Sequence, residues 1–312
     1  MYHGLELERV LKLEYVPEVL CNDREFILTA VRNHGGKLFY ASTVLHNDRE
    51  VVLAAAKSWG WSLKYASTLF RDDREVVLTA VRQDYLAMKF ASETLRNDRE
   101  FILTAVRENG YVLKYASRKF YEDREVVLAA VRNHGTALLY ASTVLRDDRE
   151  VVLAAVTSRG SSLKYASGTL RNDRTVVLAA VANSGHALQH ALETPRNDRE
   201  VVLAAVANSG CALMYASETL RNDREVVLVA LQENGWALNY ATATFRNDRE
   251  FILTAINDKR WFLQQVPHHL RSPQYVRAGP AETRILFKYM PFPFDLPEDL
   301  VTLHILPRCH RL

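Results

Sequence analysis

Apolar side chains recur along this chain in one order that repeats every 25 residues. In the first full copy, the apolar positions cover an arc of roughly 200° around a helix, which suits packing against two neighbours; they are Phe26, Ile27, Leu28, Ala30 and Val31. The pair Asp-Arg precedes each run, at residues 23–24, 48–49, 73–74, 98–99, 123–124, 148–149, 173–174, 198–199, 223–224 and 248–249. A fixed period of this length indicates stacked units. We therefore predict an all-α solenoid of ten 25-residue helical-hairpin repeats with half-repeat caps.

The first helix of each repeat carries start and stop signals. Asn22 and Glu25 have the spacing of a capping box, in which side chains bond the free amides of a helix start. A glycine such as Gly35 follows most of these helices, which predicts a left-handed C-terminal stop. Tyr85 and Arg260 replace this glycine, so we expect those two turns to be distorted or to use a different cap.

A second, shorter helix completes each predicted repeat, from Leu38 to about Leu45 in the first one. Leu38, Ala41, Ser42 and Leu45 share one face at this spacing. The segment is short enough for part of it to be 3₁₀. Neither helix is stable alone in water, so burial between neighbouring repeats must supply the stability.

The repeat also divides the chain. Residues 1–21 resemble the second half of a repeat and are predicted to form an N-terminal half-repeat cap, and residues 22–271 form the ten-unit array. The period stops at Arg271, and residues 272–312 are rich in proline and aromatic side chains. This segment either covers the last repeat or docks onto another protein, in which case Phe292 and Phe294 are the candidate docking residues.

Two motifs link the array to a known family. The units Asp-Arg-Glu-Val-Val-Leu-Ala-Ala-Val and Leu-x-Tyr-Ala-Ser-x-x-Leu-Arg-Asn-Asp resemble the family catalogued as domain of unknown function 4116, in which copies of this motif recur in tandem. The resemblance covers residues 13 to 271. It implies a helical repeat region and no assigned activity, so it transfers no functional residue to this chain.

Composition narrows the class of protein without naming a function. A hydrophobic fraction of 48% and a charged fraction of 25% are those of an ordinary soluble protein. The sequence contains no apolar run that predicts a secretion signal or a membrane span. Three scattered cysteines do not form a disulfide framework. We expect an intracellular, cytoplasmic protein, with an organelle as the alternative.

The most repeated polar residues favour a structural role. Ten identical Asp-Arg-Glu copies are unlike an active site, which is a unique constellation, and Arg24 is placed to bridge to acids of the adjacent repeat. A recurring tyrosine, such as Tyr40 and Tyr65, is either packed between repeats or a stacking platform for bases. No phosphate loop, catalytic motif or zinc-ligand spacing is evident, so we expect no enzyme activity, no cofactor and no metal.

Cationic residues are concentrated in the first half of the array. One repeat position near the end of the first helix holds Arg32, Lys57, Arg82, Arg107 and Arg132, followed by five neutral residues. With helices about 8–10 Å apart, these five would form a stripe roughly 40 Å long. A second position adds Lys64, Lys89, Lys114 and Lys164. The two rows fit phosphates or an acidic protein surface, and the alternative is a solvated face without a function.

The most variable repeat position includes tryptophan, leucine and cysteine, a mixture that suits contacts with a particular protein partner. Trp236 and Trp261 at this position are candidate docking residues, unless they cover the end of the core. We therefore expect a non-enzymatic scaffold that binds another protein through an extended solenoid surface. Nucleic-acid or acidic-partner binding along the basic half is the first alternative. A structural subunit docked by residues 272–312 is the second.

Overall fold

A computed structural model of the protein describes residues 18–248, together with residues 250, 251 and 255. All regular structure in these residues is helical, which confirms the predicted all-α solenoid of repeats. The chain divides into two compact units, Met1–Arg171 and Asn172–Leu312, and each is described by itself. Arg260, the segment 272–312 and most of the N-terminal cap lie outside the described residues.

Each repeat contains one long α-helix, one 3₁₀ helix and one short helical segment. We label the long helices of the described residues α1 to α9: Arg24–Asn33, Arg49–Ser58, Arg74–Gln83, Arg99–Glu108, Arg124–Asn133, Arg149–Ser158, Arg174–Asn183, Arg199–Asn208 and Arg224–Glu233. The 3₁₀ helices are Gly35–Tyr40, Gly60–Tyr65, Tyr85–Phe90, Gly110–Tyr115, Gly135–Tyr140, Gly160–Tyr165, Gly185–His190, Gly210–Tyr215 and Gly235–Tyr240. The short segments are Glu18–Leu20, Leu45–Asn47, Thr68–Arg71, Glu93–Asn97, Arg118–Tyr121, Leu145–Asp147, Gly168–Arg171, Glu193–Arg196, Glu218–Arg221 and Ala243–Asn247. Within this part of the chain, no helix has the length and apolar composition that crossing a bilayer requires.

The long helices begin one residue later than predicted. Asp23, rather than Asn22, is the N-cap of α1, and its carboxylate accepts the amide hydrogen of Phe26 at 2.9 Å. Asn22 instead accepts a hydrogen bond of 2.7 Å from the hydroxyl of Ser42 in the second half of the same repeat. The predicted capping box is therefore wrong, because Asn22 bonds to the second half of its repeat while Asp23 satisfies the helix start.

The glycine after each long helix has a different role from the predicted one. His34, which ends α1, is extended, with φ −153° and ψ 105°, and Gly35 does not adopt a left-handed conformation. A Cβ atom at Gly35 would lie only 2.3 Å from the carbonyl oxygen of Ala55 in α2. Gly60, Gly110, Gly135, Gly185 and Gly210 face the next helix in the same way. Glycine is therefore required for the close approach of two repeats.

Tyr85 occupies this glycine position without distorting the turn. Asp84, the residue before it, has φ −152° and ψ 117°, as in the other repeats, so the expected distortion at Tyr85 is wrong. Helices α3 and α4 instead pack less closely than the other neighbouring pairs of the first unit. The phenol ring of Tyr85 fills space that stays free where this position is glycine. Helices α3 and α4 therefore lie further apart.

The second half of each repeat is shifted and split relative to the prediction. The 3₁₀ helix begins at Gly35 and ends at Tyr40, and Ala41 is extended, with φ −66° and ψ 151°. The next amide, that of Ser42, donates to the carbonyl of Cys21 in the preceding repeat at 2.8 Å. A continuous helix from Leu38 to Leu45 is therefore wrong, because the backbone there bonds to the neighbouring repeat instead of to itself.

The core follows the predicted apolar positions. Phe26, Ile27, Leu28, Ala30 and Val31 of α1 are all buried, as are Leu38, Ala41 and Leu45 of the second half-repeat. Equivalent residues of the following described repeats are buried as well, except at the position of Leu28, where Leu53, Leu78, Leu153, Leu178, Leu203 and Leu228 are half-buried. Each repeat thus supplies one wall of a core that only its neighbours complete.

The Asp-Arg-Glu residues form the predicted ladder between repeats. Arg24 donates to Asp48 and to Glu50, each at 2.7 Å. Arg99 and Arg124 pair with the corresponding acids of the next repeat, as do Arg174 and Arg199 in the second unit. Asp48 also accepts the amides of Glu50 and Val51 at the start of α2. One carboxylate therefore caps its own helix and holds the preceding repeat.

This double role predicts loss of stability in acid. The hydrogen bond from Arg99 holds the pKa of Asp123 below its ordinary value of 3.8, and Arg24 and Arg124 do the same for Asp48 and Asp148. A carboxyl group with a lowered pKa stabilises the fold fully above the ordinary pKa, and this stabilisation is lost as the pH falls through the lower folded value. We expect the urea midpoint to be constant down to about pH 5 and to fall steeply below about pH 4.

An Asp123→Asn variant tests the origin of this effect, because asparagine still caps a helix but does not titrate. The variant should be less stable than the wild type at neutral pH and should lose less stability on acidification. Glu100→Gln is the matched control, since Glu100 lies in a first turn and forms no salt bridge with a described residue. Equal acid sensitivity in the wild type and Asp123→Asn would contradict the ladder as its source.

Candidate functional site

The basic stripe, defined as Arg32, Lys57, Arg82, Arg107 and Arg132, is exposed at the C-terminal ends of α1 to α5. Three of its members form salt bridges with glutamates of the next repeat: Arg32–Glu50 at 3.2 Å, Arg82–Glu108 at 2.7 Å and Arg132–Glu150 at 3.6 Å. The contact with Arg82 also holds the pKa of Glu108 below its ordinary value. Much of the positive charge that the sequence places in this stripe is therefore neutralised within the protein.

The lysine row, defined as Lys64, Lys89 and Lys114, is arranged differently. Each lysine is exposed near the end of a 3₁₀ helix in three consecutive repeats. The Nζ atoms lie 5.5 Å from the ring centre of Tyr65, 4.7 Å from that of Phe90 and 5.2 Å from that of Tyr115. None of the three forms a salt bridge with a described residue. The row therefore presents three unneutralised ammonium groups, each held by a cation–π contact.

The ring beneath each lysine is half-buried. Tyr65, Phe90 and Tyr115 form what we call the aromatic row, and further rings lie against it. Phe39 contacts Tyr65 edge to face, with the ring centres 5.2 Å apart. Trp61 contacts Phe90 in the same way at 5.6 Å. Of the two predicted alternatives for the tyrosine position, these contacts agree with packing between repeats. Each ring also carries a lysine.

Trp61 belongs to the most variable repeat position and is fixed by several contacts. Its Nε1 donates to a carboxylate oxygen of Asp84 at 2.6 Å, and Nζ of Lys89 lies 4.0 Å from its ring centre. Trp59 stacks on it with an angle of 15° between the planes. Trp59 is 38% exposed, so this pair provides a flat aromatic surface next to the lysine row.

A group of hydroxyl-bearing side chains surrounds Tyr85, where the helices are further apart. The rings of Tyr85 and Tyr111 have centres 5.1 Å apart, and Thr136 is hydrogen-bonded to the hydroxyl of Tyr111 at 2.7 Å.

A hydrogen bond with Tyr115 raises the pKa of Lys114. Lys114 therefore stays charged at neutral pH.

One docking candidate, Trp236, is among the described residues, and the other three are not. Trp236 is 47% exposed and belongs to the second unit, where its amide donates to Asn234 at 3.0 Å. Trp261, Phe292 and Phe294 lie outside the described residues, so docking through them remains a prediction. In the described residues, no group of histidine, cysteine, aspartate or glutamate side chains has the arrangement of a metal site.

Two exposed apolar residues of the surface were missed by the sequence reasoning. Phe39 and Leu139 occupy the same repeat position as the lysines, and they are 55% and 46% exposed. Reading this position as a column gives Phe39, Lys64, Lys89, Lys114, Leu139 and Lys164. The two apolar members of this column are the signal in the sequence that identifies a mixed apolar and cationic surface.

Comparison with known proteins gives one result. The family described as "Domain of unknown function (DUF4116)" matches residues 11–45, 23–71, 73–121, 123–169, 148–194, 198–246 and 230–271. These seven matches follow the repeat and confirm the resemblance that the sequence motifs predict. No curated protein and no solved structure matches the chain.

Proposed function

Because this chain belongs to the DUF4116 family, whose description names no activity, we propose its function from its surface: it is a non-enzymatic scaffold that binds an acidic segment of another protein. The observation that carries this proposal is the lysine row. Lys64, Lys89 and Lys114 stand at one position of consecutive repeats, exposed and without an acidic partner among the described residues. A repeat array offers such a row as an extended surface that needs no pocket.

Charge and burial together favour an acidic protein segment. Carboxylates can reach the ammonium groups, while the half-buried rings and the exposed Phe39 and Trp59 supply apolar contact. Interfaces of proteins combine aromatic anchors with a polar rim in this way. Cation–π contacts hold the lysine side chains in place, so little side-chain entropy is lost when a partner binds.

Two features weigh against a nucleic acid on the same surface. The arginines of the basic stripe at positions 32, 82 and 132 are paired with glutamates, which reduces the number of cations available to phosphates. The aromatic row also has its exposed side covered by Nζ atoms at 4.7–5.5 Å. A base needs a free ring face for stacking.

A direct binding measurement tests the proposal. Fluorescence anisotropy with labelled poly-L-glutamate should report binding that weakens with added salt, because exposed charges are screened. The triple variant Lys64→Gln, Lys89→Gln, Lys114→Gln should bind about tenfold more weakly. Circular dichroism should show an unchanged fold, since all three side chains are exposed.

The matched control removes three cations from the other row, with Arg32→Gln, Lys57→Gln and Arg107→Gln, and should change the affinity by less than about threefold. Labelled oligothymidylate of similar length is the competing probe. Tighter binding of oligothymidylate than of polyglutamate, lost in the same triple lysine variant, would replace the acidic protein by a nucleic acid. Equal losses in the two triple variants would show only a response to net charge and would overturn the assignment to the lysine row.

A further inference from the structure

The repeat position that holds the lysine row is occupied by an apolar residue in the first repeat. Phe39, Lys64 and Lys89 occupy the same position of three consecutive repeats, and all three are exposed. The close approach at Gly35 and Gly60, where a Cβ atom would lie 2.3 and 2.4 Å from the next helix, keeps these repeats at the normal spacing of packed helices, about 8–10 Å. A partner that follows the row therefore meets one apolar and two cationic positions at that interval.

The spacing between repeats favours one backbone conformation of the partner segment over the others. In a polyproline II helix, every third side chain lies on the same side, about 9 Å further along the axis. A β-strand has a period of two, so side chains three residues apart point to opposite faces. In an α-helix, side chains three or four residues apart are separated by only about 5–6 Å. Of the three, the polyproline II helix comes closest to the spacing of the repeats, because α-helical side chains seven residues apart, the next ones on the same face, are separated by about 10.5 Å.

We propose, as an extension that rests on the proposed function, that the partner segment is a polyproline II helix with an apolar residue followed by acidic residues three and six positions further on. The apolar side chain packs on Phe39, and the two carboxylates pair with Lys64 and Lys89. Trp59 and Trp61, stacked beside Lys89, provide the flat aromatic surface on which polyproline II segments dock in other proteins.

The matched stretch, by which we mean Phe39, Lys64 and Lys89, does not extend to Lys114. Between Lys89 and Lys114 the spacing widens, because Tyr85 separates α3 from α4. A partner with a strict three-residue period therefore loses its register at this step. A three-residue period in the partner is therefore required only along Phe39, Lys64 and Lys89.

Synthetic peptides test this inference on the 312-residue chain. The matched peptide is a nonapeptide with leucine at its first position, glutamate at the fourth and seventh, and proline at every other position. Two peptides of the same composition place the glutamates at the third and fifth or at the fifth and ninth positions. Anisotropy should give an affinity for the matched peptide about tenfold higher than for either of the others. Lys89→Gln should remove most of this difference, whereas Lys164→Gln, outside the matched stretch, should preserve it.

The outcomes separate this inference from the proposed function. Equal binding of the three peptides, abolished in the triple lysine variant, would overturn the polyproline II register and leave the acidic-partner scaffold standing. Absence of binding by all three peptides and by polyglutamate would overturn both. A spacing preference that persists in Lys89→Gln would overturn the placement of the segment on Phe39, Lys64 and Lys89.

Discussion

Gly110→Ala should destabilise the first unit by about 3 kcal/mol, near the upper end of the range for overpacked sites. The new Cβ atom would lie 2.2 Å from the carbonyl oxygen of Ala130 and 3.1 Å from Cβ of His134. A backbone carbonyl cannot rotate away as a long side chain can, so α5 must move as a whole. This movement would also break the bond of 2.8 Å that the amide of Gly110 donates to Asn133. Urea denaturation followed by circular dichroism measures the change.

Gly168→Ala is the matched control in the same unit. Nothing lies within 4 Å of a Cβ atom built at Gly168, and the residue begins the short helix Gly168–Arg171. Because alanine favours a helix more than glycine does, we expect the control to be neutral or more stable by up to about 1 kcal/mol. If both variants lost the same stability, the loss would not depend on the close approach, and the proposed reason for glycine at position 110 would be overturned.

Phe101→Ala should have the largest effect of any single substitution considered, a loss of about 4 kcal/mol. Phe101 is 1% exposed in α4, and the guanidinium of Arg74 lies 6.0 Å from its ring centre. Truncation leaves a cavity between neighbouring repeats and removes the ring on which Arg74 rests. Because each repeat is stabilised by its neighbours, the unfolding transition should also become broader. Urea denaturation reports both quantities.

Phe39→Ala tests whether Phe39 contributes to peptide binding rather than to the stability of the core. Phe39 is 55% exposed, so its truncation should lower stability by less than about 1 kcal/mol. The same change should weaken binding of the matched peptide, because Phe39 forms the proposed apolar contact. A loss of stability as large as that of Phe101→Ala would contradict the assignment of Phe39 to the surface.

The repeat architecture was predictable because every apolar position recurs with the same period. Phe26 and Ile27 were placed in the core by helical spacing, and the bridge from Arg24 to acids of the next repeat followed from the regular Asp-Arg-Glu copies. Both are confirmed by burial and by the salt bridges. These features depend on local sequence and on one neighbouring repeat, which the period itself supplies.

The errors concern positions where two local signals compete. Asn22 and Asp23 are both good helix caps, and only the hydroxyl of Ser42, in the second half of the same repeat, decides between them. Gly35 fits a left-handed turn equally well, and only the carbonyl of Ala55 shows why glycine is needed. Such distinctions lie in contacts between residues that are about 20 positions apart, which local sequence does not describe.

The candidate surface was only partly predictable for the same reason. The sequence identified both rows of cations, but the pairing of Arg32 with Glu50 joins residues 18 positions apart and does not follow the 25-residue period. The contact of each lysine with the adjacent ring depends on the 3₁₀ conformation of the segment that carries them. The sequence does not show that the side chains of Phe39 and Trp59 are exposed, and the structure does.

The bonds between repeats of the first unit have a consequence for how such a chain can change in length. Ser42 reaches back to Cys21, and Arg24 reaches forward to Asp48 and Glu50. Each of these links joins a repeat only to the next one. Duplicating or deleting one complete block within the unit would therefore recreate the same junction, and the surface could be lengthened or shortened by genetic recombination without redesigning the interior.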